Sequence, residues 1–143
     1  MANRALYDQD YYAWANEQAG LLRDGRLSEA DIDHIADEIE GIRKAQKREL
    51  VDQLTVLLLH LLPAFRSTSW ELTLEEQRNR LEDHLADNLS LKSGIGEVTT
   101  AAYRNAILGA ARETGMDRKV FPVVCPWSFE QIIDSNFYPE ATN

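Results

Sequence analysis

Three histidines are the residues whose type and spacing in this sequence are suited to binding a metal ion. His34 and Glu38 are spaced i, i+4, which places an imidazole and a carboxylate on the same face of a helix. His60 and His84 occur in two further segments with helical apolar patterns. Helical bundles build metal sites from inward histidine and carboxylate ligands. His34, Glu38 and His60 therefore form one candidate set of ligands for a divalent metal, either in a metal-binding bundle or in a metal-dependent enzyme.

Helix geometry weighs against a single metal centre. If residues 28–62 form one helix, His34 and His60 are ~39 Å apart at a rise of 1.5 Å per residue. A break near Gly41 would bring these two histidines together. In an antiparallel helical hairpin, His84 lies ~13 Å along the axis from His60. We therefore favour histidines held by hydrogen bonds over metal ligands.

A second candidate site combines two arginines with a tryptophan. The run RSTSW, residues 66–70, precedes Arg78 by about two to three helical turns. Arg66, Trp70 and Arg78 are suited to binding a small anion, since guanidinium groups pair with carboxylate or phosphate and stack on aromatic rings. The spacing matches no phosphate-binding loop. We favour the alternative that the arginines bond carbonyls at helix ends or neutralise acids of the second helix.

Cys125 is the only cysteine, and it begins the run CPWSFEQIIDSNFYPE. A nucleophilic thiolate needs a nearby cation, a helix N-terminus or a histidine. Cys125 precedes a predicted short helix but does not cap it, because Ser128 and Gln131 have the spacing of a capping box there. We predict a small buried thiol in an aromatic segment that clamps the tail onto the rest of the chain.

The elements that position these residues are all predicted to be helices. No segment alternates convincingly at period two, and start and stop signals define four main helices. The first runs from Asp8 to Asp24, the second starts at Ser28, the third starts at Thr73, and the fourth covers residues 97–114. We expect an all-α fold for a single domain over residues 1–143, a bundle of four main helices plus a short C-terminal helix.

The second helix carries an apolar row at spacings of three and four. The row consists of Ile32, Ile35, Ile39, Ile42, Leu50, Leu54, Leu57 and Leu61. The polar run RKAQKRE, residues 43–49, interrupts it. The pattern indicates either one long helix or two helices that meet near Gly41.

Charge restricts the partners of this chain. The formal net charge of −9 repels phosphate backbones, so we expect no direct contact with nucleic acid and a protein partner that is basic.

The most apolar stretch, VLLLHLL, is too short to span a membrane, and the N-terminal residues have no signal-peptide pattern. A single cysteine agrees with a reducing cytoplasm. We expect a cytoplasmic protein without a membrane segment.

Opposite charges lie at the two ends of one segment of the second helix. Residues 29–40 contain six acids and no lysine or arginine, whereas residues 43–48 contain four bases and no acid. This arrangement could set the register of an antiparallel dimer. The alternative, which we favour from the sequence, is a solvated surface whose charges contribute little.

Three parts of the chain together resemble one uncharacterised bacterial family. They are YDQDYYAWANEQAGLLRDGRLSEADIDHIADEIEGI, then VLLLHLL with RSTSW and QRNRL, and finally FPVVCPWSFEQIIDSNFYPE. The family is catalogued as domain of unknown function, number twenty-nine. The resemblance implies an all-helical fold and a small bacterial protein, and it implies no activity, substrate or cofactor.

The functional hypothesis rests on the small number of residues left for chemistry. No phosphate loop, Ser-His-Asp order or paired-cysteine motif is present in the sequence. We therefore favour a non-enzymatic helical module that binds another protein or a second copy of itself. The metal set and the anion set remain the alternatives.

Overall fold

A computed structural model describes residues 4–63 and 68–139, and within these ranges the chain forms helices and no strand. The six α-helices are α1 (Arg4–Gln9), α2 (Tyr11–Arg23), α3 (Ile32–Leu61), α4 (Trp70–Asp87), α5 (Ile95–Thr114) and α6 (Phe129–Ile133). Short 3-10 helices cover Leu27–Glu29, Leu89–Gly94 and Arg118–Val120. The prediction of an all-α fold with four main helices and a short C-terminal helix is confirmed. No helix in the described ranges is long and apolar enough to cross a membrane.

The second predicted helix is long and unbroken. α3 contains 30 residues and continues through Gly41 and through the polar run of residues 43–49. One side of the helix is buried along its last three turns, and Leu50, Leu54 and Leu57 there have no exposed surface. The helix ends two residues before Pro63. Proline has no backbone N–H to continue the helical hydrogen bonds, and its ring clashes with the preceding turn.

Two helix starts differ from the sequence prediction. Residues predicted as one helix from Asp8 form α1 and α2, because the Asp10 carboxylate accepts from the Ala13 backbone N–H at 3.1 Å and caps a new helix. Ser28 lies in a 3-10 helix, and the residue that precedes α3 is Asp31. In both places a nearby aspartate, rather than the predicted cap, receives the free N–H groups of the first turn.

Other helix ends follow the sequence more closely. Gly25 and Gly115 have φ values of +73° and +71°, the left-handed conformation that lets a glycine stop a helix. At the C-terminal end, Ser128 and Gln131 form the predicted capping box of α6. Thr73, the predicted start of the third helix, lies in the first turn of α4, whose N-cap position is Ser69.

The chain, which the sequence predicts to be a single domain, divides into two compact units, residues 1–45 and 46–143. The second unit has a large apolar core from the end of α3 together with α4, α5 and α6. In the first unit, the buried apolar residues within the described range are Trp14 and Ala30, accompanied by the buried polar residues Gln18 and Asp31. The buried side chains of the first unit are therefore held mainly by polar contacts rather than by a large apolar core.

Candidate functional site

A group of acidic, aromatic and imidazole side chains joined by hydrogen bonds lies in the first unit, around Asp31. It consists of Tyr7, Tyr11, Trp14, Asp31, His34 and Glu38, which we call the Asp31 cluster. α1 and α2 contribute the aromatic rings. The start of α3 contributes the acids and the imidazole at spacings of three and four, so these three side chains share one face of the helix.

Asp31 lies at the centre of this cluster and is fully buried. Its Oδ2 atom accepts hydrogen bonds from Trp14 Nε1 at 3.1 Å and from His34 Nδ1 at 2.7 Å. The Gln18 side-chain oxygen accepts from the Asp31 backbone N–H at 2.7 Å. Burial opposes ionisation of Asp31, but the hydrogen bonds from His34 and Trp14 outweigh it and lower the pKa of the carboxyl. Asp31 is therefore a buried carboxylate whose Oδ2 atom has two hydrogen-bond donors.

His34 and Glu38 are both held by the tyrosines of the cluster. The His34 ring stacks on the Tyr7 ring, with centroids 3.9 Å apart and planes inclined by 9°. The Tyr7 hydroxyl donates to one Glu38 oxygen at 2.5 Å, and the Tyr11 hydroxyl donates to the other. The hydrogen bond to Glu38, with burial, raises the pKa of Tyr7 to about 12, and the two hydroxyl donors lower the pKa of Glu38.

The Asp31–His34 pair could serve acid–base chemistry. An aspartate that binds Nδ1 of a histidine fixes the tautomer and orientation of the ring, as in hydrolases that use histidine as a general base. In the described part of the chain, the His34 ring contacts the rings of Tyr7 and Trp14. No serine hydroxyl or cysteine thiol in that part forms a hydrogen bond with the imidazole. The contacts present here hold α1 and α2 against α3.

The proposed metal ligands belong to different units. His34 and Glu38 lie in the first unit, each engaged in the Asp31 cluster, whereas His60 belongs to the second unit. His60 bonds the Val56 carbonyl oxygen through Nδ1 at 2.7 Å. Within the described ranges, no group of three His, Cys, Asp or Glu side chains is arranged to hold a metal ion.

His84 is a buried histidine with partners inside the second unit. Its Nε2 atom lies 3.0 Å from the Gln46 carbonyl oxygen, and its Nδ1 atom lies 3.8 Å from the Glu49 carboxylate. These contacts join α4 to α3. His84 is therefore a hydrogen-bonded interior residue, as its position in the apolar pattern of the sequence indicates.

The predicted anion set is only partly described, because Arg66 lies outside the described residues. Trp70 is buried and donates its Nε1 hydrogen to the His60 carbonyl oxygen. Arg78 is buried as well, and it donates to the carbonyl oxygens of Ile132 at 2.8 Å and Phe137 at 2.7 Å. Burial lowers the pKa of Arg78. Arg78 thus fastens the C-terminal segment to α4.

Cys125 is half-buried and packs against the core of the second unit. Its thiol donates to the Trp127 carbonyl oxygen at 3.5 Å, and burial raises its pKa. A raised pKa leaves little thiolate at neutral pH, which disfavours nucleophilic chemistry.

A different feature of α3 was not anticipated by the sequence. Ile32, Ile39 and Ile42, which we call the isoleucine face, are exposed by 52%, 62% and 61%. The apolar row of α3 is therefore buried in its last turns and open to solvent in its first turns. Contiguous exposed apolar side chains are typical of a surface that binds a protein.

The sequence contains signals for the Asp31 cluster that become clear beside the structure. Tyr7, Tyr11 and Trp14 recur at spacings of four and three, and Asp31 and His34 are three apart. Spacing alone places each set on one face. It does not say that the two faces meet.

Comparison with known protein families identifies the family of this chain. The chain matches the model of the family described as Domain of unknown function DUF29 over residues 6–138. Neither a curated protein nor a solved structure matches it. The matched range includes the Asp31 cluster, the isoleucine face and the C-terminal segment held by Arg78. The chain belongs to the DUF29 family.

Proposed function

We propose that the protein is a non-enzymatic interaction module in which two copies pack antiparallel through the isoleucine face of α3. The observation that carries this proposal is the exposure of Ile32, Ile39 and Ile42 on a continuous helix. With the half-buried Ile35 they repeat at spacings of three and four, the pattern by which helices pair in coiled coils.

The small core of the first unit supports the proposal. Trp14 and Ala30 are the buried apolar residues in its described range, and its remaining buried side chains are polar. Chains of about 45 residues enclose little apolar surface by themselves, and oligomerisation is one of the usual ways to supplement it. A second copy on the isoleucine face would remove three large side chains from water.

Charge favours an antiparallel arrangement of the two copies. If Ile35 of one copy lies opposite Ile42 of the other, the acidic start of α3 in one copy lies level with the basic residues 43–48 of the other, since both pairs of segments share one centre along the helix. A parallel arrangement would place acidic turns beside acidic turns. Exposed ion pairs contribute little affinity, but like charges in contact disfavour the wrong orientation.

The experiment that tests the proposal is sedimentation equilibrium of the protein and of an Ile39→Asp variant. We expect the protein to form a dimer and the variant to be a monomer with unchanged helicity by circular dichroism. Leu72→Asp is the matched control, because Leu72 is 69% exposed on α4 and lies outside the isoleucine face. A monomeric protein at all concentrations, or an Ile39→Asp variant that remains dimeric, would contradict the proposal.

The proposal includes a cytoplasmic location. Cys125 is the only cysteine, so the chain has no internal disulfide of the kind that stabilises small domains in oxidising compartments. Preferential labelling of a cytoplasmic fraction by an antibody against the protein would support this, and recovery from an extracellular fraction would oppose it.

A further inference from the structure

A groove of about 550 Å³ lies in the second unit, between α5 and residues 118–125. Its apolar walls are Tyr103, Ile107, Leu108, Phe121, Val123 and Val124. Val123 and Val124 are exposed although both are fully apolar. The volume is within the range that binds small organic molecules in proteins.

The charged residues that line this groove are all cations. They are Arg104, Arg118 and Lys119, and no acid lines the groove. In the described ranges, none of the three forms a salt bridge within 4.0 Å. The groove is therefore lined by positive charge alone in a chain whose net charge is −9.

The other polar side chains of the groove have partners within the chain. The Tyr103 hydroxyl donates to the Pro122 carbonyl oxygen at 2.7 Å. Thr99 and Thr100 donate to the carbonyl oxygens one turn earlier on α5, at 2.7 Å and 3.0 Å. Side-chain recognition of a ligand would therefore come from the three cations, and contact area would come from the apolar walls.

We propose that this groove binds a small amphiphile with an anionic head group and an apolar body. The guanidinium groups of Arg104 and Arg118 bind the head by charge-assisted hydrogen bonds, which suit carboxylate and phosphate alike. The hydrocarbon body lies along Ile107, Leu108 and Val124, where it removes exposed apolar surface from water. This site belongs to the second unit, whereas the isoleucine face belongs to the first, and it adds a ligand to the proposed interaction module.

The test is calorimetric titration of the protein with decanoate below its critical micelle concentration. Acetate and decan-1-ol supply the head and the body separately, and decyl phosphate distinguishes the two head groups. We expect decanoate or decyl phosphate to bind, and acetate and decan-1-ol to bind at least about tenfold more weakly. Equal binding of decan-1-ol and decanoate would overturn the role of the cations, and absence of binding by both anionic amphiphiles would overturn the proposal.

Variants locate the binding within the molecule. Arg104→Gln combined with Arg118→Gln should weaken binding by about tenfold or more. Arg112→Gln, on the same helix but outside the groove, should leave it unchanged. Cys125 lines the groove, so the bound amphiphile should slow its labelling by a thiol reagent. Unchanged affinity in the double variant, or unprotected Cys125 in a saturated complex, would overturn the assignment of this groove.

Discussion

Replacing Asp31 by alanine removes the acceptor at the centre of the first unit. In the native chain Asp31 Oδ2 receives hydrogen bonds from Trp14 Nε1 and His34 Nδ1, and Oδ1 receives the His34 backbone N–H at 3.4 Å. The alanine variant leaves the buried Trp14 donor without its partner. It also releases the imidazole that stacks on Tyr7. α1 and α2 therefore lose a principal connection to α3.

The size of the effect follows from burial and from the size of the unit. Breaking a buried charged pair by removing one partner typically costs about 3–5 kcal/mol. A unit of 45 residues has a stability of about 2–7 kcal/mol at ordinary values per residue. We therefore expect Asp31→Ala to unfold the first unit at room temperature or to leave it barely stable.

Hydrogen exchange followed by mass spectrometry measures this effect unit by unit. Amides of α2 and of the first turns of α3 should exchange much faster in Asp31→Ala, while α5 keeps its protection. Asp8→Ala is the matched control, since Asp8 is an exposed aspartate of the same unit. Unchanged protection of α2 in Asp31→Ala would refute the reasoning that Asp31 organises the first unit.

The same carboxylate predicts how the first unit responds to acid. The folded state lowers the pKa of Asp31, so its contribution is present above the unfolded value of about 3.9 and is lost as the pH falls through the folded value. Protection of α2 should therefore fall below about pH 4. Equal acid sensitivity of Asp31→Asn and the native chain would contradict this origin of the acid transition.

Three further side chains have separate expected effects. Glu38→Gln should lower the pKa of Tyr7 from about 12, because the hydrogen bond to Glu38 is its main cause, and an ultraviolet titration of tyrosinate would measure the change. Tyr103, whose pKa of about 12 arises from burial, should be unaffected. Arg78→Ala should destabilise the second unit by about 2–4 kcal/mol in urea unfolding, since two charged hydrogen bonds to backbone carbonyls are lost. Ser128→Ala should cost about 1 kcal/mol in the same assay through loss of the α6 cap.

Controls keep these expectations specific. Arg80→Ala removes an exposed arginine that pairs with Glu76 on the surface of α4, so it should change stability far less than Arg78→Ala. Equal effects of the two changes would show that Arg78 does not fasten the C-terminal segment. An unchanged Tyr7 titration in Glu38→Gln would show that the tyrosine–glutamate contact is absent in solution.

The sequence predicted the helices well because their signals are local. The capping box at Ser128 and the glycine stop at Gly115 depend on residues within a few positions of each other, whereas the same kind of signal left open whether α3 breaks near Gly41. Predicted starts at Asp8 and Ser28 were wrong because several short polar side chains near a helix start compete to cap it.

The candidate sites were less predictable because their contacts join distant residues. Arg78 bonds Ile132 and Phe137, which are 54 and 59 positions away, and the Tyr7–Glu38 bond spans 31 positions. The apolar spacing of α3 predicted an apolar face correctly. It could not say that Leu54 would be buried and Ile39 exposed, since that depends on which helices pack beside each part of α3.

A distance between two copies tests the antiparallel dimer most directly. A spin label at Ala45→Cys, in a Cys125→Ser background, reports the separation of the two α3 helices by pulsed dipolar spectroscopy. In the proposed antiparallel dimer, the point midway between residues 38 and 39 is the same for both helices. Helix geometry then places the two labelled positions about 20 Å apart, whereas a parallel dimer places them about 10 Å apart. The account predicts the longer distance. The shorter distance, or no dipolar coupling at high concentration, would contradict it.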